Sequence, residues 1–216
     1  MSWSHRLLRV VPIIGTATFL ASCSNIGGDL SSVIDVAGNI WNGPQSVPLE
    51  QAASVPYASI GVRVRGYNEL MLVLATNAEG QQLWTSDVRI AIVTQNGHIV
   101  RTAGLGRDLS GLRFVGTAHP GGANYSWEAD FKDMGLYGVT GDCQPIATKN
   151  EVITVLGKEL NTQRIDERCE TSSHQLSWSF RNTYWLDPVT GLAWRSIQHI
   201  HPRFPALEIT VLRPFQ

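Results

Sequence analysis

The sequence lacks a long apolar run, a strong net charge and a surplus of cysteine. No uncharged apolar stretch reaches the ~18 residues that a transmembrane helix needs. The 17 Lys and Arg residues nearly balance the 18 Asp and Glu residues and are scattered along the chain, which argues against a nucleic-acid partner held by a basic patch. Hydrophobic residues nevertheless make up 43% of the 216 residues. The chain can therefore bury a core as a single domain and is not a disordered protein.

Motifs that would mark a reaction are missing as well. The chain has no GxSxG nucleophile elbow and no HExxH zinc motif, two patterns that position a nucleophile or a metal for hydrolysis. The four glycines between residues 104 and 116 fit neither the dinucleotide-binding spacing nor the P-loop spacing, so we expect an irregular connection there. We predict a non-catalytic protein that uses no cofactor and no metal ion.

Two histidines and four acids carry weaker chemical signals. His199 and His201 would lie on one side of a strand, but a zinc site needs further protein ligands, and none is tied to this pair in the sequence. We expect both histidines to lie at the surface or to form hydrogen bonds. A glycosidase needs two carboxyls about 5 to 10 Å apart across a cleft, which the sequence does not show. We expect solvated surface acids at Asp130, Asp133, Asp166 and Glu167.

The amino-terminal segment has the three parts of a secretory signal. His and Arg residues fall within the first nine positions, and residues 10–21 are uncharged and mostly apolar. The small residues before Cys23 then resemble a bacterial lipobox, in which the chain is cut just before an acylated cysteine. We predict a lipoprotein signal peptide over residues 1–22 and lipidation at Cys23. A buried amino-terminal helix that happens to contain a cysteine is the alternative.

Lipidation would place the chain on a membrane, because several acyl chains on one residue make a durable anchor. Ser24, not Asp, follows the cysteine, which resembles the sorting signal of outer-membrane lipoproteins and predicts an outer-membrane location facing the periplasm. Residues 23–56 are predicted to form a lipidated tether with short helical pieces. One piece spans Leu30–Trp41 and packs on the core or lies on lipid, and a second spans Leu49–Ala53.

The three cysteines allow a simple assignment. If Cys23 carries lipid, Cys143 and Cys169 are left, and an exported protein meets an oxidising compartment in which two cysteines usually pair. We predict a Cys143–Cys169 disulfide, which would close a loop of about 25 residues and contribute roughly 3 kcal/mol in the chain-entropy model. Two free buried thiols are the alternative.

From residue 57 onward the hydrophobic period changes from helical to two. Alternating or β-branched runs recur at short intervals and are separated by turn residues. Asn96-Gly97 lies between two such runs and is a strong hairpin signal, because both residues tolerate the positive φ of a type I′ turn. The predicted strands cover residues 59–65, 70–76, 82–86, 89–95, 98–103, 125–131, 152–156, 163–169, 175–183, 184–187, 192–198 and 207–212.

Many short strands without intervening helices indicate an all-β domain. We see no internal repeat and no domain boundary after residue 57, so we predict one antiparallel β domain over residues 57–216. The expected architecture is a partly open barrel or a sandwich, preceded by a short amino-terminal helix.

The predicted hairpin around residues 188–191 holds the best candidate contact surface. Its aromatic side chains can pair across the strands and stabilise the hairpin. The alternative is a sugar-stacking surface, in which a flat ring covers a pyranose and polar groups reach its hydroxyls. The candidate glycan contacts are Asn182, Tyr184, Trp185, Trp194, Arg195 and Gln198. Trp84, Trp127 and Trp178 lie in alternating runs and are expected in the core.

The blocks around this hairpin resemble the YjbF/GfcB family of bacterial lipoproteins. The resemblance rests on residues 182–187, on residues 190–198 and on Leu212-Arg213-Pro214, and the earlier residues 55–59 and 94–97 fit the same pattern. Family members are associated with operons for exopolysaccharide or group IV capsule production. The resemblance therefore implies an accessory role in polysaccharide assembly or export, and it supplies no catalytic residue.

Three classes of function remain. The leading one is a non-catalytic accessory lipoprotein that binds a polysaccharide or an exopolysaccharide export protein. The second is a barrel-like module that binds a lipid or an acyl chain, and the third is a polysaccharide-modifying hydrolase. A shallow groove lined by Trp, Arg and Asn would favour the first class and a large apolar cavity the second. A pair of carboxylates with raised pKa in a cleft would favour the third.

Overall fold

The structure, a computed structural model, describes residues 45–215. The predicted signal peptide, the lipidation site Cys23, most of the tether and the helix expected over Leu30–Trp41 lie outside the described residues. Within the described part of the chain, no helix is both long and apolar enough to cross a lipid bilayer.

The described residues form one short helix, one 3₁₀ turn and twelve strands. The helix α1 spans Leu49–Ser54, close to the predicted bounds, and the 3₁₀ turn spans Lys132–Met134. The strands are β1 Ser59–Val64, β2 Leu70–Ala78, β3 Gln81–Thr85, β4 Ala91–Gln95, β5 His98–Ala103, β6 Gly111–Val115, β7 Tyr125–Phe131, β8 Leu136–Val155, β9 Lys158–Thr171, β10 Ser179–Leu186, β11 Ala193–Gln198 and β12 Leu207–Arg213.

All twelve strands belong to one antiparallel sheet that follows chain order. Each strand pairs with the next from β1 to β5 and from β6 to β12, and β1 pairs with β12 between Ile60–Val64 and Leu207–Val211. The sheet therefore curls into a nearly closed barrel with a seam between β5 and β6. The predicted all-β class is confirmed, and of the two expected architectures the structure adopts the barrel.

Successive antiparallel strands reverse direction, so their connections gather at two ends of the barrel. What we call the open end comprises residues 65–69, 86–90, 104–110, 132–135, 172–178 and 199–206. What we call the closed end comprises residues 79–80, 96–97, 116–124 and 187–192.

The seam is bridged by the β5–β6 connection. The Thr102 N–H donates to the Leu109 carbonyl at 2.9 Å, and the Leu109 N–H donates to the Thr102 hydroxyl at 2.9 Å. That hydroxyl in turn donates to Asp108 at 2.9 Å. Across the seam the rings of His98 and Phe114 lie 5.0 Å apart. Local hydrogen bonds and ring contacts thus close the barrel where the strand ladder stops.

Alternating side chains fill the barrel. In β7 every second residue from Tyr125 to Phe131 is buried. The main hydrophobic core contains Trp84 and Trp127, which confirms the core positions predicted for these two tryptophans. Trp178 is only partly buried and packs against the core from the β9–β10 connection. This core contains residues from both strand series, β1–β5 and β6–β12, which we call the two meanders. Neither half of the barrel therefore buries its apolar face alone.

The β8–β9 hairpin extends beyond its neighbours and folds against the outside of the barrel. A register shift near Pro145 bends the hairpin. Ile153 and Val155 then pack against Trp185 of β10 in a second, smaller hydrophobic cluster. Trp185 neighbours the interior Tyr184 and so faces outward. The tip of the hairpin therefore covers part of the outer wall.

Cys143 of β8 lies opposite Cys169 of β9, and the two form a disulfide inside the main core. Their Cα atoms are 4.1 Å apart, well within the limit of about 7 Å beyond which two cysteines cannot be bridged. The disulfide is the pairing expected from the cysteine assignment.

Two strands depart from the sequence-based prediction. Strand β6 lies within residues 104–116, which we expected to be irregular, and it begins with Gly111 and shows no clear alternation of burial. Strand β8 begins at Leu136 although only residues 152–156 were predicted. Residues 139–143 do alternate between buried and exposed, but one of the three buried positions is Gly141, and residues 146–150 are exposed on both faces and carry no apolar period. In addition, the predicted strands 175–183 and 184–187 merge into one strand, β10, which begins only at Ser179, and residues 175–178 belong to the β9–β10 connection.

A polar latch holds the amino-terminal segment against the start of β2. The Gln45 N–H donates to Asn68 Oδ1 at 3.0 Å, and the Glu69 N–H donates to the Gln45 carbonyl at 2.8 Å. Glu69 Oε2 accepts a hydrogen bond from the Val47 N–H at 2.8 Å. The Glu69 carboxylate lies over Gly61, where any Cβ would meet it. The chain thus enters the described structure at the open end.

Substitution of Gly141 tests the packing of the barrel wall. A Cβ at this position would meet the Trp127 ring and the Glu170 carbonyl, so we expect Gly141→Ala to lower the free energy of unfolding by about 1–3 kcal/mol. Urea denaturation measures the loss. Gly111→Ala is the matched control, since nothing lies within 4 Å of its added Cβ. Equal losses in the two variants would contradict the described packing.

Candidate functional site

A mostly apolar cavity lies at the open end. It has a volume of about 480 Å³ and lies between β1, β2, β3 and the connections around them. Its walls include Val62, Val64, Leu70, Ile90, Phe204 and Leu207. Its rim is polar and includes Tyr67, Asn68, Ser86 and Asp87. A mostly apolar pocket with a few polar groups at its mouth is typical of a small-molecule or lipid site.

The size and the lining of this cavity decide what it can hold. Its volume is about three times that of an engineered 150 Å³ cavity that stays dry and binds benzene. A sugar that enters this cavity loses the water bound to its hydroxyls. The apolar walls offer these hydroxyls no partner, at a cost of roughly 1–3 kcal/mol for each unpaired group. The cavity therefore suits a hydrocarbon chain better than a glycan.

The closed end has a different chemistry. The loop over residues 116–124 lies across it, with the Asn96 side chain donating to the Ala118 carbonyl at 3.3 Å. Beneath the loop, the Tyr184 hydroxyl lies 2.9 Å from His98 Nδ1. The Gln198 side chain accepts from the Ile99 N–H and donates to the Gly97 carbonyl, both at 2.8 Å. A buried hydrogen-bond network therefore occupies this end of the interior.

Glu167 belongs to the same buried region. Its carboxylate accepts hydrogen bonds from the Tyr125 hydroxyl at 2.9 Å and from the Gly121 N–H at 3.3 Å. Only 1% of the residue is exposed, and burial raises the pKa of its carboxyl, while the bond from Tyr125 opposes that rise. Burial and the nearby Glu167 carboxyl raise the pKa of the Tyr125 phenol in turn.

The surface position predicted for two acids is wrong. Glu167 lies inside the barrel, and Asp166 is also buried, on the outer face of β9, where it accepts from the Thr183 hydroxyl at 2.7 Å. The two carboxyls lie on opposite faces of one strand, so they do not form a pair across a cleft. The sequence shows that both acids lie among polar residues, but it does not show that each has a hydrogen-bond partner in the fold.

The other two acids and the histidine pair match expectation more closely. Asp133 is exposed, and Asp130 is half-buried and accepts from the Gly138 N–H at 2.8 Å. His201 Nδ1 accepts from the Arg203 N–H, so Nε2 carries the proton and donates to Asp133 at 3.0 Å. His199 Nδ1 lies 2.9 Å from the Arg181 carbonyl. Both histidines thus form hydrogen bonds, one of the two outcomes expected.

The described residues hold no group of three or more His, Cys, Asp or Glu side chains arranged to bind a metal ion. Burial lowers the pKa of both His199 and His201, partly offset for His201 by Asp133. At neutral pH both imidazoles are therefore neutral and engaged with protein partners.

The six candidate glycan contacts do not share a surface. Asn182, Tyr184 and Gln198 face the interior and are buried, and 0% of Tyr184 is exposed. Trp185 and Arg195 lie on the outer wall as direct cross-strand neighbours. A register shift next to Trp185 pairs it with Arg195 instead of a second aromatic ring.

The outward tryptophan is itself covered. Trp185 is 7% exposed, and the Arg164 and Arg195 guanidinium carbons lie 5.4 and 6.0 Å from its ring centroid. Trp194 is half-buried, packs against both hydrophobic clusters, and its indole N–H donates to Asp187 at 3.4 Å. These aromatic residues pack the wall in this structure, and no open stacking face is formed by the six.

The candidate site that the structure reveals was not predicted from the sequence. The apolar residues of β1 and β2 were assigned to strands, but their alternation is the same whether the barrel end is filled or hollow. The cavity depends on how connections 65–69, 86–90 and 199–206 leave the end uncovered. No sequence signal describes that arrangement.

Comparison with known proteins identifies the family of this chain. The family model described as "Group 4 capsule polysaccharide lipoprotein gfcB, YjbF" matches residues 32–212. The chain belongs to the YjbF/GfcB family. The match runs from before α1 almost to the end of β12, so it covers nearly the whole barrel. The predicted family resemblance is thereby confirmed.

Individual relatives agree with the family assignment. The uncharacterized lipoprotein GfcB of Escherichia coli K12 is 24% identical over 208 residues, covering 92% of this chain and 95% of the relative. The uncharacterized lipoprotein YjbF of the same strain is 33% identical over 73 residues, covering 32% and 34%. The crystal structure of the hypothetical lipoprotein YmcC from E. coli K12 has a TM-score of 0.64 at 19% identity, covering 79% of this chain and 90% of that one. YmcC thus shares the fold of this YjbF/GfcB-family chain.

The buried network predicts an acid-sensitive fold. Burial, with a smaller contribution from His119, lowers the pKa of His98 from 6.5 to about 3. Between these values the unfolded chain binds a proton that the folded chain does not. Stability is therefore complete above pH 6.5 and falls as the pH is lowered toward 3, by up to about 1.4 kcal/mol per pH unit. Urea denaturation across this pH range measures the slope.

His98→Gln should flatten this slope, and the exposed His174→Gln should leave it unchanged. If His98→Gln does not fold, the imidazole carbon shifts of the natural protein give the answer by NMR, because His98 should stay neutral at pH 4. An unchanged slope in a folded His98→Gln variant, or a His98 pKa near 6.5, would show that His98 does not cause the acid sensitivity.

Proposed function

We propose that this protein is an outer-membrane lipoprotein that faces the periplasm and acts as a non-catalytic accessory factor in capsule or exopolysaccharide assembly or export. The observation that carries the proposal is the family match over residues 32–212, which spans almost the whole barrel of a family described by capsule polysaccharide. The lipobox-like sequence that ends at Cys23 adds the membrane anchor.

The predicted tether limits how far the barrel can lie from the membrane that holds the lipid. From Cys23 to Gln45, where the described structure begins, the chain can span at most roughly 75 Å when extended. The barrel would therefore work close to the leaflet that holds the lipid. The two E. coli relatives GfcB and YjbF do not suggest a reaction, because both are named only as uncharacterized lipoproteins.

A non-catalytic role also agrees with the geometry of the acids. The carboxyl with the clearest upward pKa shift, Glu167, is held by Tyr125 and Gly121 inside the barrel. Its neighbour Asp166 faces the opposite side of the wall. The hydrolase alternative needs two carboxyls that face one another across a cleft, and these two do not.

A second candidate function is favoured by the cavity itself. Among the three classes considered, a large apolar cavity is the mark of an acyl-chain or lipid-binding module, and the open end holds one of about 480 Å³. A glycan carried on a lipid would join the two functions, because the same ligand presents a hydrocarbon chain and a saccharide. Glycan binding through the hairpin tryptophans is less well supported, since they are packed in the wall.

Removing the gene and removing the anchor test the main proposal. We expect deletion to reduce surface polysaccharide, measured by staining and by glycan analysis of the cell surface. Cys23→Ala should leave the protein in the soluble periplasmic fraction and fail to restore the polysaccharide. Unchanged polysaccharide in the deletion strain would refute the pathway. Sedimentation of Cys23→Ala with outer membranes at high salt, where charge contacts are screened, would refute the anchor.

Filling the cavity tests the second candidate. Val64 lines the cavity, so Val64→Trp should weaken binding of a dansyl-labelled fatty acid at least tenfold, measured by fluorescence titration. Val93→Trp is the matched control because Val93 lies on the outer wall in β4, next to the interior Ile92. Equal binding by both variants, or no binding by the natural protein, would exclude acyl-chain binding in this cavity.

A further inference from the structure

The two ends of the barrel differ in charge. Five of the six connections at the open end each carry one exposed cation. These cations are Arg65, Arg89, Arg107, Lys132 and Arg203. The connections at the closed end contain no Lys or Arg, and they carry the acids Glu79 and Asp187. Among the connections assigned to the two ends, the basic side chains thus lie only at the open end, although the net charge of the chain is only −1.

None of the five cations forms a salt bridge with another described residue. Three of the four acids at the same end are already engaged. Glu69 accepts from the Val47 N–H, Asp108 from the Thr102 hydroxyl and Asp133 from His201. Asp87 is the remaining exposed acid of the open end. The cations are therefore free to meet an external anionic surface.

The same face carries the point where the tether joins the barrel. Gln45 is hydrogen-bonded to Asn68 and to Glu69 of the β1–β2 connection, and Asn68 also lines the cavity. The chain that leads back toward Cys23 thus leaves the barrel beside the cavity mouth. An exposed tyrosine, Tyr67, lies at the same rim, and tyrosine is a side chain that favours the membrane–water interface.

We propose that the open end docks on an anionic phospholipid surface, with its five cations at the headgroup phosphates and the cavity mouth turned toward the bilayer. Charge, tether attachment and an apolar opening coincide on this one face. The proposal rests on the proposed lipid anchor, which brings the barrel to the membrane but does not by itself orient it. An acidic polysaccharide is the other anionic partner, and the membrane is favoured because the tether and the apolar mouth are on the same side.

The strength of such docking follows from the number of cations. Each Arg or Lys near an anionic leaflet favours binding roughly fivefold, and the effect falls off within a Debye length. Three cations together would therefore shift the docked-to-free ratio about a hundredfold. Docking should also weaken as the salt concentration rises.

Depth-dependent quenching tests the orientation on the intact lipidated protein. A fluorophore is attached at His174→Cys on the open end or at Val189→Cys on the closed end, both of which are exposed. The proteins are reconstituted in phosphatidylcholine vesicles with or without phosphatidylglycerol, with a brominated lipid as quencher. We expect quenching of the open-end label at least twofold stronger with phosphatidylglycerol, and no such change for the closed-end label.

A charge variant and its control complete the test. Arg89→Gln, Arg107→Gln and Arg203→Gln combined should abolish the added quenching. The control combines Arg101→Gln, Arg168→Gln and Arg213→Gln, three exposed arginines away from the open-end connections, and should keep it. Circular dichroism of both variants verifies folding.

Three outcomes would overturn the proposal. They are equal quenching of both labels, equal effects of the two triple variants, and binding of a soluble polyanion such as dextran sulfate to the open end with no lipid-dependent quenching. Mass spectrometry of the same samples reports acylation at Cys23 separately. An acylated protein that is needed for polysaccharide but shows no oriented quenching would disprove the docking face and leave the proposed function standing.

Discussion

Hydrogen bonds between β1 and β12 join two meanders into one sheet, and the rest of the barrel depends on that pairing. Strands β1 to β5 and β6 to β12 each pair only with their sequence neighbours, so each half would be an open sheet with an exposed apolar face. Pairing of Ile60–Val64 with Leu207–Val211 brings the halves together, and their inner faces then share one core. The association of distant segments is entropically costly, and burial of both apolar faces compensates for it.

The division of the interior into two chemistries follows from this closure. The closed end is filled by a hydrogen-bond network under the 116–124 loop, and the open end keeps an apolar hollow beside β1, β2 and β12. This YjbF/GfcB-family protein thus has one end filled by hydrogen bonds and another end with room for a ligand. The polar end resists entry because any guest would have to replace buried hydrogen bonds.

Local features of the fold could be predicted from the sequence, whereas features made by distant contacts could not. Asn96-Gly97 gave the β4–β5 hairpin, and both residues have the positive φ that such a turn requires, 50° and 82°. The assignment of Cys143 and Cys169 also follows from composition and compartment. In contrast, the sequence shows Glu167 as one polar residue among others in β9, and its hydrogen-bond partners Tyr125 and Gly121 lie 42 and 46 residues away.

The candidate site shows the same limit. Adjacent aromatic and polar residues in the hairpin sequence suggest a glycan-binding surface as an alternative to packing. In the fold, alternation sends Tyr184 inward and Trp185 outward, and the β8–β9 hairpin, which no local pattern connects to β10, then covers Trp185. The cavity in turn arises from connections that are far apart in sequence.

The position of the disulfide has a consequence for the alignment of the barrel wall. Cys143 and Cys169 are opposite residues in a long strand pair, and a slip of one residue between β8 and β9 would send one sulfur to the other side of the wall. The Cys143–Cys169 bond is therefore compatible with the native alignment and excludes a one-residue slip of the folded hairpin. The covalent bond thus locks the register of the longest strand pair in the described part of the chain.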